Sequence, residues 1–133
     1  MGTRRESGRG AADAPRGGAV IVRSIQPGSI VIVHLQSPTE KFWGVLLSLD
    51  AIGLQLRGLN ITSFDDWMGQ AARGESALLG PATMFMPLIR VERLFLDEQI
   101  GSVESYRQRF EQRVGLRVEE FLGLAEAGGE IPS

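Results

Sequence analysis

The chain has 133 residues, no cysteine and a formal net charge of −2. This length fits one domain with extra segments, and 43% apolar with 23% charged residues is ordinary for a globular protein. The missing cysteine excludes disulfides and thiolate chemistry. No run approaches the length of a transmembrane helix, and the N-terminal arginines are not followed by the apolar core of a secretory signal. Together these features favour a cytoplasmic location.

Residues 1–18 differ in composition from the rest of the chain. They hold four arginines and two acids, a net charge of +2, which leaves −4 on residues 19–133. The segment is rich in glycine and alanine and has no aromatic residue, so we expect a disordered basic tail. Such a tail could contact nucleic acid or an acidic partner, but a solvated tail is the favoured interpretation. The acidic remainder argues against a broad phosphate-binding face.

Residues 19–97 contain six short runs with the composition and alternation of β-strands. Turn signals separate the runs, which suits an antiparallel sheet rather than parallel strands joined by helices. Pro87 cannot donate to a ladder, so its strand is expected at an edge or at its own end. The six runs are AVIVRSI (19–25), SIVIVHL (29–35), KFWGVLLSLD (41–50), LQLRGL (54–59), TMFMPL (83–88) and VERLFLD (91–97).

A helical insertion at 60–82 separates the fourth and fifth runs. A helix is predicted at 63–73, because Ser63 and Asp66 have the spacing of a capping box and Gly74 suits its end. Its apolar stripe, expected to face the sheet, is Phe64, Trp67, Met68 and Ala71.

A C-terminal helical extension is predicted at 98–127, followed by a frayed end at 128–133. Its first helix is expected to begin at Ser102 as N-cap and to end at Gly115. The apolar face of that helix would be Val103, Tyr106, Phe110 and Val114. A second short helix is expected within 116–125, with Val118, Phe121, Leu122 and Ala125 turned inward.

The run KFWGVLLSLD (41–50) is apolar on both of its faces, so both faces must be covered. The interior of a small barrel can cover one face. The helix at 63–73, the C-terminal helix or another subunit must cover the other. Gly44 fits a sharp bend in the strand, and Asp50 is expected to accept local backbone N–H groups in the turn that follows.

The spacing of these apolar residues resembles that of the Sm-like small β-barrel superfamily. The matching patterns are Val31-x-Val33-x-Leu35, Phe42-x-Gly44-x-Leu46-x-x-Leu49-Asp50, Leu54-x-Leu56 and, more loosely, Pro87 to Val91. They lie in residues 29–59 and 83–97. The resemblance implies a strongly bent five-stranded barrel, rings formed by pairing of the fourth and fifth strands, and binding of single-stranded RNA.

Asp50 and Arg90 match the family pattern, whereas its base-contacting residues are replaced. Gly53-Leu54 stands where an asparagine is usual, and Ile52 is nearest to the position of the residue that stacks on a base. The usual Arg-Gly pair is Arg90-Val91. The resemblance is therefore evidence for barrel architecture and weaker evidence for an RNA site.

Other residues with chemical potential have simpler structural interpretations. His34, the single histidine, is more readily a covered or edge residue than a metal ligand. The pairs Asp65–Asp66 and Asp97–Glu98 could bind a cation, but acids that precede or open a helix complement its dipole. Trp43 and Trp67 could stack on bases, but Trp67 is more simply the anchor of the helix, and Trp43 is more simply its target or a subunit contact. No nucleophile or phosphate-loop motif is present, so no catalytic residue, metal or cofactor is assigned.

The fold class predicted from the sequence is mainly β with helices: a small, strongly bent, antiparallel SH3-like or Sm-like barrel spanning 19–97. The predicted function is a non-enzymatic interaction or assembly module that binds itself or another protein and no membrane. Its candidate interface is Ile30, Ile32, Trp43, Val45, Leu47 and Trp67. One alternative is an Sm-like RNA-binding protein that uses Asp50, Arg57 and Arg90 with the arginine tail. A further alternative is a regulatory barrel that binds a small ligand.

Overall fold

A computed structural model describes residues 23–75 and 79–124, and within these ranges the chain is mainly β. Five strands form one antiparallel sheet: β1 (Ile30–Leu35), β2 (Glu40–Leu49), β3 (Gly53–Asn60), β4 (Ala82–Pro87) and β5 (Val91–Leu96). Two α-helices are α1 (Phe64–Ala72) and α2 (Tyr106–Val114), and 3-10 turns span Ile61–Ser63, Leu88–Arg90 and Val118–Phe121. Five of the six predicted strands are thereby confirmed, with ends shifted by about one residue.

The strand order is β4-β3-β2-β1-β5, so β4 and β5 form the two edges. No pairing joins these edges within the described ranges, and the sheet is not closed. Pro87 is the last residue of edge strand β4, as its missing N–H predicts. Neither described helix is long and apolar enough to cross a membrane.

The strand predicted at 19–25 is wrong for residues 23–25, which have no regular structure. They lead into the turn that precedes β1, and β1 is already paired with β2 on one side and β5 on the other. No edge of β1 is therefore open to the run before it. Residues 19–22 of that prediction lie outside the described ranges, as do the tail at 1–18 and the end at 128–133.

The sheet carries a separate apolar core on each face, as the two-faced pattern of β2 predicts. The inner core consists of Val31, Val33, Leu35, Leu46, Leu54, Leu56 and Met86. The outer core consists of Trp43, Val45, Leu59, Phe64, Trp67, Met68, Phe110, Val118 and Leu122. The outer core includes residues of α1, α2 and the turn Val118–Phe121, so the chain's own helices cover that face.

A close approach of two backbones joins β2 to β3 at a pair of glycines. Gly44 lies opposite Gly58 in the ladder. A Cβ placed on Gly44 would lie 2.6 Å from the Cα of Gly58, and it would lie even closer to the carbonyl oxygen of Arg57. Glycine is therefore required here because no side chain fits between the strands.

Helix α1 begins where predicted, but the expected capping box is absent. Ser63 has a helical backbone, with φ −96° and ψ −5°, and its side chain makes no cap hydrogen bond. The helical turns begin before Ser63, in the 3-10 turn Ile61–Ser63. The Asn60 side chain caps that turn by accepting the N–H of Thr62 at 2.9 Å. Gly74 follows the helix with φ +68°, as expected for its end.

Helix α2 begins later than predicted, so Ser102 is not its N-cap. An isolated bridge pairs Ile100 with Val103 and holds this segment as a tight turn. Ser105 is the N-cap instead, and it forms a reciprocal capping box with Gln108. The predicted helix end is confirmed, because Gly115 adopts φ +82° and caps α2.

The predicted second C-terminal helix is reduced to the 3-10 turn Val118–Phe121, and Ala125 lies outside the described ranges. Val118 and Leu122 are buried as predicted. An ion pair between Arg107 of α2 and Glu119 fastens this turn to the helix. Partial burial has the largest single effect and would raise the pKa of Glu119. The hydrogen bond and charge of Arg107, a local backbone hydrogen bond and the charge of Arg117 together outweigh burial and hold that pKa below its ordinary value.

Candidate interaction surfaces

Three of the six predicted interface residues lie in the chain's own outer core. Trp43 is fully buried, and Val45 and Trp67 are nearly so. The rings of Trp43 and Trp67 are 5.7 Å apart, and both pack against Phe64. This part of the interface prediction is corrected: α1 and α2 occupy the face that seemed open in the sequence. The predicted pairing of the Trp67 anchor with Trp43 is confirmed.

The other three predicted interface residues, Ile30, Ile32 and Leu47, are half-buried and pack against the same outer core. Ile32 also lines a groove beside β5. The apolar residues on the outer face of the strands are therefore largely buried within the chain. A surface for partners lies at other positions.

Asp50 is a turn residue, as predicted. Its Oδ1 accepts the N–H of Ile52 at 2.8 Å and that of Gly53 at 3.1 Å, and its own N–H donates to the carbonyl of Gly53. These bonds fix the turn between β2 and β3 and use the carboxylate locally.

The two arginines of the RNA hypothesis reach different parts of the fold. Arg57 donates through Nε to the carbonyl of Leu122 at 2.7 Å, which ties β3 to the C-terminal segment. Arg90 donates to the carbonyls of Gln36 and Pro38 and pairs with Glu40 at 3.2 Å, which ties the turn after β4 to the β1–β2 loop. The structure does not bring these side chains together with Asp50 into one site.

His34 lies half-buried near the edge of the sheet, in agreement with its structural interpretation. Its ring packs edge-on against Phe95, with centroids 4.9 Å apart. Burial lowers the pKa of His34 from its ordinary value of 6.5, and the nearby charges of Lys41 and Arg93 lower it further, while Glu92 opposes them.

The lowered pKa of His34 predicts a small loss of stability in mild acid. At His34 the unfolded chain binds a proton more readily than the folded chain. The contribution of neutral His34 to folding stability is therefore present above the ordinary pKa of 6.5 and is lost as pH falls below that value. Between about pH 7.5 and about pH 5.5, the melting temperature should fall more for the native chain than for His34→Gln. Equal falls in thermal denaturation would contradict this assignment.

The first acid of each pair serves the helix that it precedes or opens. Asp65 lies in the first turn of α1 and pairs with Arg109 at 2.7 Å. Asp97 accepts three N–H groups: Tyr106 and Arg107 at the start of α2, and the indole of Trp43. No group of three or more potential metal-ligating side chains occurs in the part of the chain that the structure describes.

A surface that sequence reasoning missed lies where β2 turns into β3 and β4 ends. Its members are exposed apolar residues, and we call it the apolar tip: Leu49, Ile52, Phe85, Leu88 and Ile89. Ile52 is 74% exposed and Ile89 is 87% exposed, the two highest values among the large apolar residues that the structure describes. The sequence signal was weak, because Ile52 and Ile89 stand in turns, whereas Leu49, Phe85 and Leu88 lie in runs whose apolar residues suggest burial in the sheet.

Contacts between the two turns bring members of the apolar tip together. The N–H of Leu88 donates to the carbonyl of Ile52 at 2.8 Å, which joins the β2–β3 turn to the segment after β4. The ring of Phe85 lies directly over Gly53, since a Cβ added there would be 2.6 Å from Cζ of Phe85. The charged neighbours Asp50 and Arg90 are engaged in their own hydrogen bonds. The tip is thus an apolar area beside the open edge of β4.

No protein-family model matches this chain, and neither a curated protein nor a solved structure is significantly similar to it.

Proposed function

We propose that this chain is a non-enzymatic assembly module that associates with copies of itself through the apolar tip and the adjacent edge of β4. The observation that carries the proposal is the exposure of five large apolar side chains around two turns that the hydrogen bond between Leu88 and Ile52 joins. Contiguous apolar patches on a folded chain typically mark interaction sites, because their contact with water is unfavourable.

The edge of β4 strengthens this assignment. Within the described ranges, β4 pairs with β3 alone, so its second edge offers unpaired backbone groups. Its outward side chains include Thr83 and Phe85 and no charged residue that would deter another strand. Addition of a strand from another copy would satisfy the backbone and bury Phe85 at the same time.

Curvature of the sheet supports the Sm-like barrel architecture that the resemblance implies. The turn Leu88–Arg90 bonds at one end to Ile52, beyond the end of β2, and at the other to Gln36, before its start. A straight β2 of ten residues would separate those points by roughly 30 Å. Leu88 and Arg90 are two residues apart and span at most about 7 Å. A strongly bent β2 reconciles these distances.

Self-association through the apolar tip predicts that a charge at Ile89 weakens the assembly. Glutamate in place of a nearly fully exposed isoleucine should leave the monomer fold intact and weaken association at least about tenfold, since an unpaired charge would be buried in the contact. Sedimentation velocity of Ile89→Glu against the native chain measures this change.

The matched control is Leu116→Glu, which adds the same charge at a residue that is also exposed but lies beyond α2, outside the tip. It should associate like the native chain. If Ile89→Glu and Leu116→Glu sediment alike, the contact does not involve the tip and the proposal is wrong.

A further inference from the structure

A groove of about 530 Å³ lies on the outer face of the sheet beside β5. Its floor is the edge-strand segment 94–96 together with Ile32, and its far wall is the turn that precedes α2. Ile25, Ile32, Phe95, Ile100 and Val103 line it, whereas the side chains of Leu94 and Leu96 pack against the inner core, so these two residues border the groove from the strand. This volume lies within the range of ligand-binding clefts, and Ile100 and Val103 are 70% and 69% exposed, so their apolar surface is open to an occupant.

The groove adjoins an open strand edge. In the residues that the structure describes, β5 pairs with β1 on one side and with no strand on the other. An extended chain laid along that side could form backbone hydrogen bonds with β5 while alternate side chains enter the groove. This geometry favours an extended peptide over a compact molecule, because a compact molecule would leave the strand edge unpaired.

The rim of the groove is acidic. Three carboxylates, those of Asp97, Glu98 and Glu104, line it against the one guanidinium of Arg23. Asp97 is fully engaged by N–H donors, whereas Glu98 lies 3.9 Å from the exposed Arg23 and Glu104 accepts from the neutral amide of Gln112. Glu98 and Glu104 therefore retain negative charge that a cationic side chain would complement.

We propose that the groove beside β5 binds an extended segment of a partner protein in which apolar and basic side chains alternate. Backbone pairing with β5 supplies the orientation, the apolar side chains fill the groove, and the basic side chains meet Glu98 and Glu104. This site lies on the strand edge opposite to β4, so it goes beyond self-association through the apolar tip and is tested separately from it.

The test is a titration of the full chain with an acetylated hexapeptide of alternating lysine and valine, followed by NMR of the backbone amides. Chemical-shift changes should be centred on Leu94 to Leu96 and Val103. Glu104→Lys should weaken binding about three- to tenfold, in the range of a reversed surface charge pair. The control Glu120→Lys makes the same change at an exposed glutamate outside the groove and should bind like the native chain.

Four outcomes would overturn the proposal. One is the absence of shift changes at β5, and another is equal binding of a hexapeptide of alternating glutamate and valine. A third is equal weakening by Glu104→Lys and Glu120→Lys. Dissociation of an oligomer by the peptide would instead assign the groove to a second copy of the chain. Ile89→Glu should bind the peptide normally, so failure at the tip and failure at the groove are distinguishable.

Discussion

Replacing Gly44 with alanine is expected to lower the free energy of unfolding by about 3 kcal/mol, a large part of the stability of a domain of this size. The added Cβ would lie 2.6 Å from the Cα of Gly58, and backbone at that distance cannot move aside as a side chain could. The two strands would have to separate where they pass beneath Trp43, which is fully buried in the outer core. Urea denaturation measures the change through the transition midpoint.

The matched control for this substitution is Gly80→Ala. A Cβ on Gly80 would meet no atom within 4 Å, so the change should stay within about 0.5 kcal/mol. Gly58→Ala should be as damaging as Gly44→Ala, because its Cβ would lie 2.7 Å from the Cα of Gly44. A Gly44→Ala chain as stable as Gly80→Ala would refute the close approach of β2 and β3.

The second large effect is expected at Asp97. Its Oδ2 accepts the indole N–H of Trp43 at 3.0 Å and the N–H of Arg107 at 2.9 Å, and its Oδ1 accepts the N–H of Tyr106 at 2.9 Å. One carboxylate therefore joins the sheet to the first turn of α2. Asp97→Ala would leave the buried indole N–H without this acceptor and remove a cap from the helix, at a cost of about 2–4 kcal/mol.

Glu98→Ala is the control for Asp97→Ala, since the neighbouring carboxylate makes only the long, exposed contact with Arg23. Its removal should change stability by no more than about 0.5 kcal/mol. Fluorescence of Trp43 should also respond to Asp97→Ala, because its indole loses a hydrogen bond. Equal unfolding midpoints for the two variants would show that Asp97 does not hold α2 on the sheet.

Much of the fold was predictable because its signals are local. The alternation Leu54-x-Leu56, the paired faces of β2 and the turn at Asp50 each follow from residue type and spacing, and each is confirmed. The end of α2 at Gly115 could be predicted equally well, because a backbone position with positive φ favours glycine. The position of Pro87 at the end of an edge strand could also be predicted from residue type alone, because proline has no N–H to donate.

The remaining features depend on contacts between distant parts of the chain. The start of α2 is set by the Ile100–Val103 bridge and by Asp97, neither of which the spacing of apolar residues reports. The pattern of one strand could not show whether helices of the same chain or another subunit cover Trp43. The apolar tip is invisible in sequence for the same reason, because Ile52 and Ile89 become neighbours only when Leu88 bonds to Ile52.

These corrections move the proposed contact from the centre of the sheet to one end of it. The face centred on Trp43 now stabilises the monomer, and the apolar surface left over is concentrated at the tip. Arg57 and Arg90, which carried the RNA hypothesis, serve as ties within the chain. The proposed association with a further copy would bury these exposed residues, and no buried residue would have to leave the core.

The mass of the native chain in solution tests this account most directly. Light scattering coupled to size exclusion, across a dilution series in the micromolar range, should give a mass above the 14.5 kDa of one chain that falls towards it on dilution. A mass of one chain at every concentration would contradict self-association, and the exposure of the apolar tip would then need another explanation.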